Sequence, residues 1–212
     1  MSGPAVAVLD YGSGNLRSAE RALQRAGAEV VVTSDLDVAA GADGLVVPGV
    51  GAYAACMAGI QALGAGPVIA ARVATGQPVL GICVGMQIMF DYGDEHGVVT
   101  KGLGLLPGGV TRLDAERVPL MGWNTVTPPV ESWLFTGISP DTRFYFVHSY
   151  AARPGDLLDA TGACVTTSVH GGQFVAAVET GHLAVTQFHP EKSGDAGSAL
   201  LRNWIRTLRT SG

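Results

Sequence analysis

Short apolar runs alternate with helical patterns throughout the first half of the sequence. The runs that we interpret as strands are Ala5–Leu9, Glu29–Thr33 and residues 45–47 and 78–82. Between the first two, apolar residues recur at helical spacing before a glycine that ends the helix: Leu16, Ala19, Leu23, Ala26 and Gly27. Continuous apolar strands joined through helices are typical of a parallel sheet that is covered on both faces. The first half therefore predicts an α/β fold.

The second half of the sequence indicates a different arrangement of strands. The strand-like segments are residues 110–112, 121–127, 143–150, 165–170, 174–179 and 183–188. The last three are joined by Gly-Gly and Thr-Gly pairs, which are typical of tight hairpin turns. A closing helix over residues 197–208 would bury its apolar side chains. We therefore expect one domain over residues 1–212, in which antiparallel strands extend a parallel core into a mixed, mostly parallel central sheet.

The composition argues against several classes of protein. Hydrophobic residues make up 47% of the chain and charged residues 15%, so intrinsic disorder is not expected. The net charge of −5 and the scattered basic residues argue against nucleic-acid binding. No apolar stretch reaches the ~20 residues of a membrane-spanning helix, and the N-terminus lacks the basic region of a signal peptide. We expect a cytoplasmic protein that binds neither nucleic acid nor membranes.

Cys83 lies in the sequence Gly-Ile-Cys-Val-Gly, between a predicted strand and a predicted helix. None of the three cysteines has CxxC spacing, so neither a disulfide framework nor a zinc site is expected. A nucleophile on a tight strand-to-helix turn needs small neighbours, which the two glycines provide. The N-terminus of the following helix would favour the thiolate. Cys83 is therefore a candidate nucleophile, although a buried cysteine at a strand end would give the same pentapeptide.

A cysteine nucleophile requires an imidazole base and a group that orients the base. Of the five histidines, only His189 lies in a sequence that supplies both, QFHPE at 187–191. Pro190 would restrict the backbone so that the Glu191 carboxylate turns back toward the ring. Cys83, His189 and Glu191 are therefore the candidate catalytic triad. A capping or turn role fits His-Pro-Glu equally well, whereas a metal site would lack a third ligand nearby.

Acyl transfer also needs hydrogen-bond donors for a developing oxyanion. The backbone N–H of Val84, at the predicted start of the helix, is one candidate. The Val50 N–H in the Pro-Gly-Val-Gly segment at 48–51 is the second, because its flanking glycines would let this peptide approach a substrate or turn over. An ordinary β-to-α turn would have the same composition. These features all follow predicted parallel strands, where ligands bind in open sheets.

Several sequence segments together resemble a known family. GICVGMQ and HPEKS resemble the class I (triad) glutamine amidotransferases. DYGSGNLRS, PGVG, MGWN and FVHSY narrow the resemblance to the glutaminase subunits of imidazole glycerol phosphate synthase, an enzyme of histidine biosynthesis. The resemblance extends from Asp10 to the closing helix. It implies a three-layer α/β/α sandwich and the hydrolysis of glutamine to glutamate and ammonia.

The resemblance also implies roles for individual residues. Cys83 would form a glutamyl thioester, and His189, oriented by Glu191, would protonate the leaving amine and then activate water. The residues matching those that hold glutamine are Gly51, Gln87 and, through their backbone, Ser149 and Tyr150. The resemblance implies no cofactor and no metal.

A partner subunit follows from the same resemblance, a cyclase with a (β/α)8 barrel that forms a heterodimer with this chain. It would receive ammonia through an internal tunnel and make imidazole glycerol phosphate and aminoimidazole carboxamide ribonucleotide. In this family the glutaminase is nearly silent until the partner binds its own substrate, and the Val50 peptide is the expected switch. The motifs that face the partner contain Asn15, Trp123 and Lys192. Trp123 could instead be ordinary core, and Lys192 an ordinary solvated charge.

Some positions depart from the family pattern. Val84 replaces the more usual leucine. Leu120 and His170 stand where a histidine and a tyrosine are common, and His182 lies near a frequent asparagine. None belongs to the triad: the change at Val84 leaves the turn at Cys83 intact, and the other three concern contacts with the partner. Two alternatives remain open: a glutaminase subunit of another synthase, such as those for anthranilate, guanylate or pyridoxal phosphate, and a non-catalytic binding subunit with the same fold.

Overall fold

The structure, a computed structural model, describes residues 3–208. In chain order its strands are β1 Ala5–Leu9, β2 Glu29–Thr33, β3 Gly44–Gly49, β4 Val79–Cys83, β5 Phe90–Glu95, β6 Val98–Lys101, β7 Leu106–Arg112, β8 Leu120–Thr125, β9 Arg143–His148, β10 Tyr150–Ala152, β11 Cys164–His170, β12 Gly172–Thr180 and β13 Leu183–Thr186. Its α-helices are α1 Leu16–Ala26, α2 Leu36–Gly41, α3 Tyr53–Leu63, α4 Ala65–Ala74, α5 Val84–Gln87, α6 Asp156–Asp159 and α7 Gly194–Ile205. A 3-10 turn spans Pro190–Lys192.

The largest sheet that the described residues form has seven strands, in the order β11-β12-β13-β4-β3-β1-β2. Neighbouring strands are parallel from β13 to β2, whereas β11 and β12 are antiparallel additions beyond β13. The prediction of a mixed, mostly parallel sheet is therefore confirmed. The strands β3 and β4 lie inside the sheet and are buried along their whole length, and Gly49 lies opposite Cys83 at their carboxyl ends.

Helices cover both faces of this sheet. The chain moves from β1 to β2 in one direction and then returns through β3 to β4 in the other. Because crossovers between parallel strands are right-handed, α1 lies on one face and α2, α3 and α4 lie on the other. The closing helix α7 contacts α1, and a Cβ added at Gly44 in β3 would lie 2.8 Å from the Trp204 ring. The α/β/α arrangement is therefore confirmed.

Two strands and several boundaries differ from the sequence prediction. The hairpin of β5 and β6 was not predicted, because β5 is largely polar and β6 is short and exposed. The predicted strand over 143–150 is interrupted at Ser149, where the chain passes from β9 to β10. The closing helix begins and ends three residues earlier than predicted. Thr207 Oγ1 donates to the Trp204 carbonyl at 2.7 Å and so occupies an acceptor at the end of this helix.

There are two smaller sheets among the described residues. One has four strands in the order β10-β7-β5-β6, and the other consists of β8 and β9. Residues from β5, β9 and β10 line the same cavity as Cys83, so these sheets border the carboxyl ends of the parallel strands.

Within residues 3–208, no single helix is long and apolar enough to cross a membrane. The helices α3 and α4 meet the criteria of length and composition only as a pair, which is bent by 89°.

Candidate active site

Cys83 lies on a strained turn between β4 and α5. Its backbone has φ 55° and ψ −114°, a conformation that is costly for any residue with a side chain. A Cβ at Gly85 would collide with the carbonyl oxygen of Val47, and one at Gly81 would lie 2.9 Å from the Gly85 oxygen. Gly85 therefore allows the turn to pack against β3, and Gly81 allows α5 to fold back onto β4. The helix after Cys83 is a single turn of four residues, so only its first N–H groups, rather than a long helix dipole, act near the sulfur.

His189 and Glu191 form a buried pair in the turn that follows β13. His189 Nδ1 donates to Glu191 Oε1 at 2.7 Å, and both side chains are nearly fully buried. The contact is local because Pro190 begins the 3-10 turn that carries Glu191 back to the ring. The backbone N–H of His189 donates to the Tyr145 carbonyl, and the Ser193 hydroxyl donates to the His189 carbonyl. The Tyr145 N–H donates to the Ser193 hydroxyl at 2.9 Å, so two hydrogen bonds, at His189 and at Ser193, fix the turn to β9.

The surroundings of His189 favour its protonated form. Burial lowers the pKa of the ring, but the nearby Cys83 and the hydrogen-bonded Glu191 carboxylate outweigh burial and raise this pKa to about 9. Among the described residues, Nε2 has no hydrogen bond of standard geometry, so Cys83 acts here as a close neighbour rather than through a formed bond. At neutral pH the ring is therefore an imidazolium, the acid that a departing amine requires.

The Pro-Gly-Val-Gly segment at the carboxyl end of β3 is held by three side chains. The Tyr11 hydroxyl donates to the Pro48 carbonyl at 2.5 Å, and the Cys56 thiol donates to the Val50 carbonyl at 3.5 Å. The Val50 N–H donates to the Ser13 hydroxyl at 2.9 Å. The predicted oxyanion donor is thus bound to Ser13 in this conformation. The prediction for Val50 requires this peptide to turn over, whereas Val84, the other predicted donor, already lines the cavity at Cys83.

One cavity of about 300 Å³ brings the predicted residues together. It contains Cys83 and His189 and all four residues predicted to bind glutamine: Gly51, Gln87, Ser149 and Tyr150. The Gln87 side chain is buried, and its Nε2 donates to the Tyr150 carbonyl at 2.8 Å. The nucleophile, the imidazole and the candidate binding groups therefore face a common space.

Glu95 brings a carboxylate to this cavity that the sequence analysis did not select. Its Oε2 accepts a hydrogen bond from the backbone N–H of Tyr53 at 2.9 Å, which places it at the N-terminus of α3. The segment DYGDEHG contains three acidic residues and reads as a polar loop. No local signal separates Glu95 from Asp91 and Asp94, so only the fold of the β5–β6 hairpin could reveal it.

The three predicted partner-facing residues lie around the site rather than in the core. Asn15 Nδ2 donates to Glu191 Oε1 at 3.3 Å, which links Asn15 to the triad. Trp123 is 53% exposed and packs edge-to-face on Tyr145, so its alternative placement in the core is wrong. Lys192 lines the cavity with its Nζ 6.0 Å from the centre of the Tyr145 ring. A contact between these residues and a partner stays a prediction.

Of the positions that depart from the family pattern, Val84 follows Cys83 directly, whereas the other three lie away from the triad. Leu120 is buried at the start of β8, and His170 Nε2 lies 2.7 Å from the Arg117 carbonyl. The His182 carbonyl accepts from the Val79 N–H at the amino end of β4, opposite the end that carries Cys83. Among residues 3–208, no group of three His, Cys, Asp or Glu side chains is placed to hold a metal ion.

Solved structures share this fold. A crystal structure of a glutamine amidotransferase is similar with a TM-score of 0.73 at 22% sequence identity, covering 95% of this chain and 97% of that chain. The structure of PurLQS from Thermotoga maritima is similar with a TM-score of 0.71 at 21% identity, covering 98% of this chain and 100% of that chain. At these identities the similarity establishes the fold alone.

Sequence similarity places the chain more narrowly. The family model for glutamine amidotransferase class-I matches residues 7–208. Imidazole glycerol phosphate synthase subunit HisH from Mycolicibacterium paratuberculosis is 61% identical over 208 residues, covering 98% of this chain and all of the relative. The protein of the same name from Thermobifida fusca is 59% identical over 209 residues, covering 97% of this chain and 99% of the relative. The chain therefore belongs to the class I glutamine amidotransferases and, within them, to the imidazole glycerol phosphate synthase subunit HisH family.

Proposed function

We propose that this chain is the glutaminase subunit of an imidazole glycerol phosphate synthase. It hydrolyses glutamine to glutamate and ammonia and passes the ammonia to a cyclase subunit in histidine biosynthesis. The observation that carries the proposal is the buried hydrogen bond from His189 to Glu191, because His189 lines one cavity with Cys83 on its strained turn. This combination supplies a nucleophile, a proton donor and an orienting carboxylate, as acyl transfer requires.

The first half-reaction forms a thioester on Cys83. The sulfur, as thiolate, attacks the side-chain amide carbon of glutamine and produces a tetrahedral oxyanion. The Val84 N–H, joined by the Val50 N–H once its peptide has turned, stabilises that oxyanion. The His189 imidazolium gives its Nε2 proton to the leaving nitrogen, the carbon–nitrogen bond breaks, and ammonia departs.

Hydrolysis of the thioester reverses the role of the imidazole. His189, now neutral, removes a proton from water as the water oxygen attacks the thioester carbon. Glu191 keeps Nδ1 protonated and stabilises the imidazolium that forms. Collapse of the second tetrahedral intermediate breaks the carbon–sulfur bond and releases glutamate. Cys83 is then again a thiolate, and His189 is again protonated. This scheme uses water alone and requires no cofactor or metal.

The cavity offers complementary groups for the rest of the substrate. The backbone of Gly51, Ser149 and Tyr150 supplies polar groups for the substrate carboxylate, and Gln87 lines the same wall. Glu95 is the carboxylate there that matches the α-ammonium group of glutamine in charge. Binding both charged ends of the amino acid would place its side-chain amide at Cys83.

The partner that we propose is a cyclase with a (β/α)8 barrel, bound as a heterodimer on the face that carries Asn15, Trp123 and Lys192. Met121 and Trp123 alternate along β8 and are 66% and 53% exposed, which gives this face apolar side chains for an interface. An internal tunnel would deliver ammonia to the cyclase. The cyclase would then release imidazole glycerol phosphate and aminoimidazole carboxamide ribonucleotide.

Glutamate release from glutamine tests this function. It is measured for this chain alone, with the cyclase barrel, and with the barrel and a bound nucleotide ligand. We expect little release from the chain alone and strong stimulation in the third mixture. Equal release in all three mixtures would reject the cyclase as partner, and no release in any of them would reject the glutaminase.

The Ser13–Val50 hydrogen bond leads to a prediction about the low glutaminase activity that we expect without the partner. If this bond holds the oxyanion donor away from the substrate, a Ser13→Ala variant should raise the basal rate of glutamate release. Loss of one hydrogen bond of typical strength corresponds to an increase of up to about tenfold. The basal rate is measured without the cyclase.

Ser198→Ala is the matched control, because the Ser198 hydroxyl is exposed and donates to a carbonyl within α7. It should leave the basal rate unchanged. A Ser13→Ala variant with an unchanged or lower basal rate would show that the hydroxyl does not restrain the Val50 peptide.

A further inference from the structure

A fully buried glutamine lies beside the nucleophile. Gln187 follows β13 two residues before His189 and has 0% exposure. Its Oε1 accepts a hydrogen bond from Gln87 Nε2 at 3.0 Å, and its Nε2 lies 3.9 Å from Cys83 Sγ. A primary amide is costly to bury without partners, so a residue chosen only for packing would be apolar. Both ends of the Gln187 side chain meet groups of the proposed reaction site.

The direction of every hydrogen bond in this network is fixed by one carbonyl. The Tyr150 oxygen can only accept, so the Gln87 amide must turn its NH₂ group toward it, at 2.8 Å. The second hydrogen of that NH₂ group goes to Gln187 Oε1. The Gln187 amide must then present its own NH₂ group to Cys83. His148 Nδ1, 2.9 Å from the same Tyr150 oxygen, has to be a donor as well.

This chain of hydrogen bonds has two consequences for chemistry. Gln87 uses both of its amide hydrogens within the protein, so its Oε1 is the atom left to accept a hydrogen bond from a substrate. Cys83 faces an amide donor, which stabilises negative charge on the sulfur. The 3.9 Å separation is long, and such contacts tighten when charge develops or substrate binds.

We propose that Gln187 is a positioning residue of the glutaminase site. Its carbonyl orients Gln87 for glutamine binding, and its NH₂ group supports the thiolate of Cys83. The inference rests on the proposed function, because it assigns a role within that reaction. Gln187, which lies between the end of β13 and His189, would thus join the residues of the active site. It would also link the nucleophile to the wall of the cavity that binds substrate.

Two substitutions of similar length separate these roles. Gln187→Met keeps the shape but removes both polar ends, and Gln187→Glu keeps an acceptor for Gln87 while replacing the donor at Cys83. The first measurement is the rate of Cys83 alkylation by iodoacetamide, followed by peptide mass spectrometry. The second is the pair kcat and KM for glutamine in the complete complex with the cyclase.

We expect both variants to slow alkylation at neutral pH by about tenfold or more, because each removes the donor to sulfur. Near pH ~10, where thiols ionise without help, the variants should approach the wild-type rate. KM should rise by about tenfold in Gln187→Met and stay close to wild type in Gln187→Glu, since only the first releases Gln87. Gln173→Glu, an exposed amide on β12, is the control and should change neither quantity.

Wild-type alkylation and wild-type KM in Gln187→Met would overturn the proposal and leave Gln187 as packing. An equal rise of KM in both variants with normal alkylation would overturn it as well. The alkylation rate does not depend on glutamine turnover. If the wild-type complex released no glutamate, the proposed function would fail, while the alkylation rates would still decide whether Gln187 supports the thiolate.

Discussion

Replacing Cys83 by alanine is expected to abolish glutamate release in the complex with the cyclase, with a fall in kcat of roughly 10⁶-fold, as for other deleted nucleophiles. The thioester cannot form without the sulfur, and neither other cysteine can replace it. Burial raises the pKa of the Cys56 thiol. Burial and the carboxylates of Glu179 and Glu131 raise the pKa of Cys164 to about 11. Both therefore stay protonated and weakly nucleophilic at neutral pH.

Covalent trapping identifies the reactive cysteine directly. A chloroketone analogue of glutamine should label wild-type protein once, at Cys83, and should not label Cys83→Ala. Cys164→Ala, in β11, is the matched control and should keep both labelling and glutamate release. Labelling of Cys83→Ala, or retained glutamate release, would reject the assignment of the nucleophile. An unlabelled wild-type protein would favour a non-catalytic binding subunit on this fold.

The parts of the site that could be predicted from the sequence are local along the chain. The two glycines around Cys83 and the proline between His189 and Glu191 restrict backbone geometry over a few residues, and the structure has both turns. The parallel core could also be predicted, because each of its strands is a continuous apolar run next to a helix. Such signals need no knowledge of what lies across the fold.

The remaining contacts join residues that are far apart in sequence. Ser13 meets Val50 across 37 positions, and Gln87 meets Gln187 across 100. Each of these side chains is unremarkable in its own segment, and a buried amide has no periodicity of its own. Glu95 was missed for a related reason, because its strand is polar and resembles a loop. The register of the assembled sheets, which no short pattern encodes, decides these neighbours.

The Glu191 carboxylate leads to a prediction about pH. A Glu191→Gln variant should lower kcat by about 10²–10⁴-fold and move the alkaline limb of the pH–rate profile toward lower pH. Burial lowers the pKa of His189, and Cys83 and Glu191 more than compensate and raise it to about 9. The catalytic proton is therefore fully present below the ordinary pKa of about 6.5 and is lost as the pH rises through 9. Without the carboxylate this loss begins earlier.

The stability of the fold should also decrease as the pH rises, because a raised pKa in the folded state means that protonated His189 stabilises the fold. The contribution of the pair is fully present below pH ~6.5 and disappears as the pH rises through about 9, so the difference in Tm between wild type and Glu191→Gln should shrink above about pH 9. kcat and Tm are measured from about pH 6 to about pH 10. Glu20→Gln, whose carboxylate pairs with Arg17 at 3.8 Å on α1, is the control and should keep the wild-type limb. An alkaline limb that stays in place in Glu191→Gln would mean that the carboxylate does not hold the proton on His189.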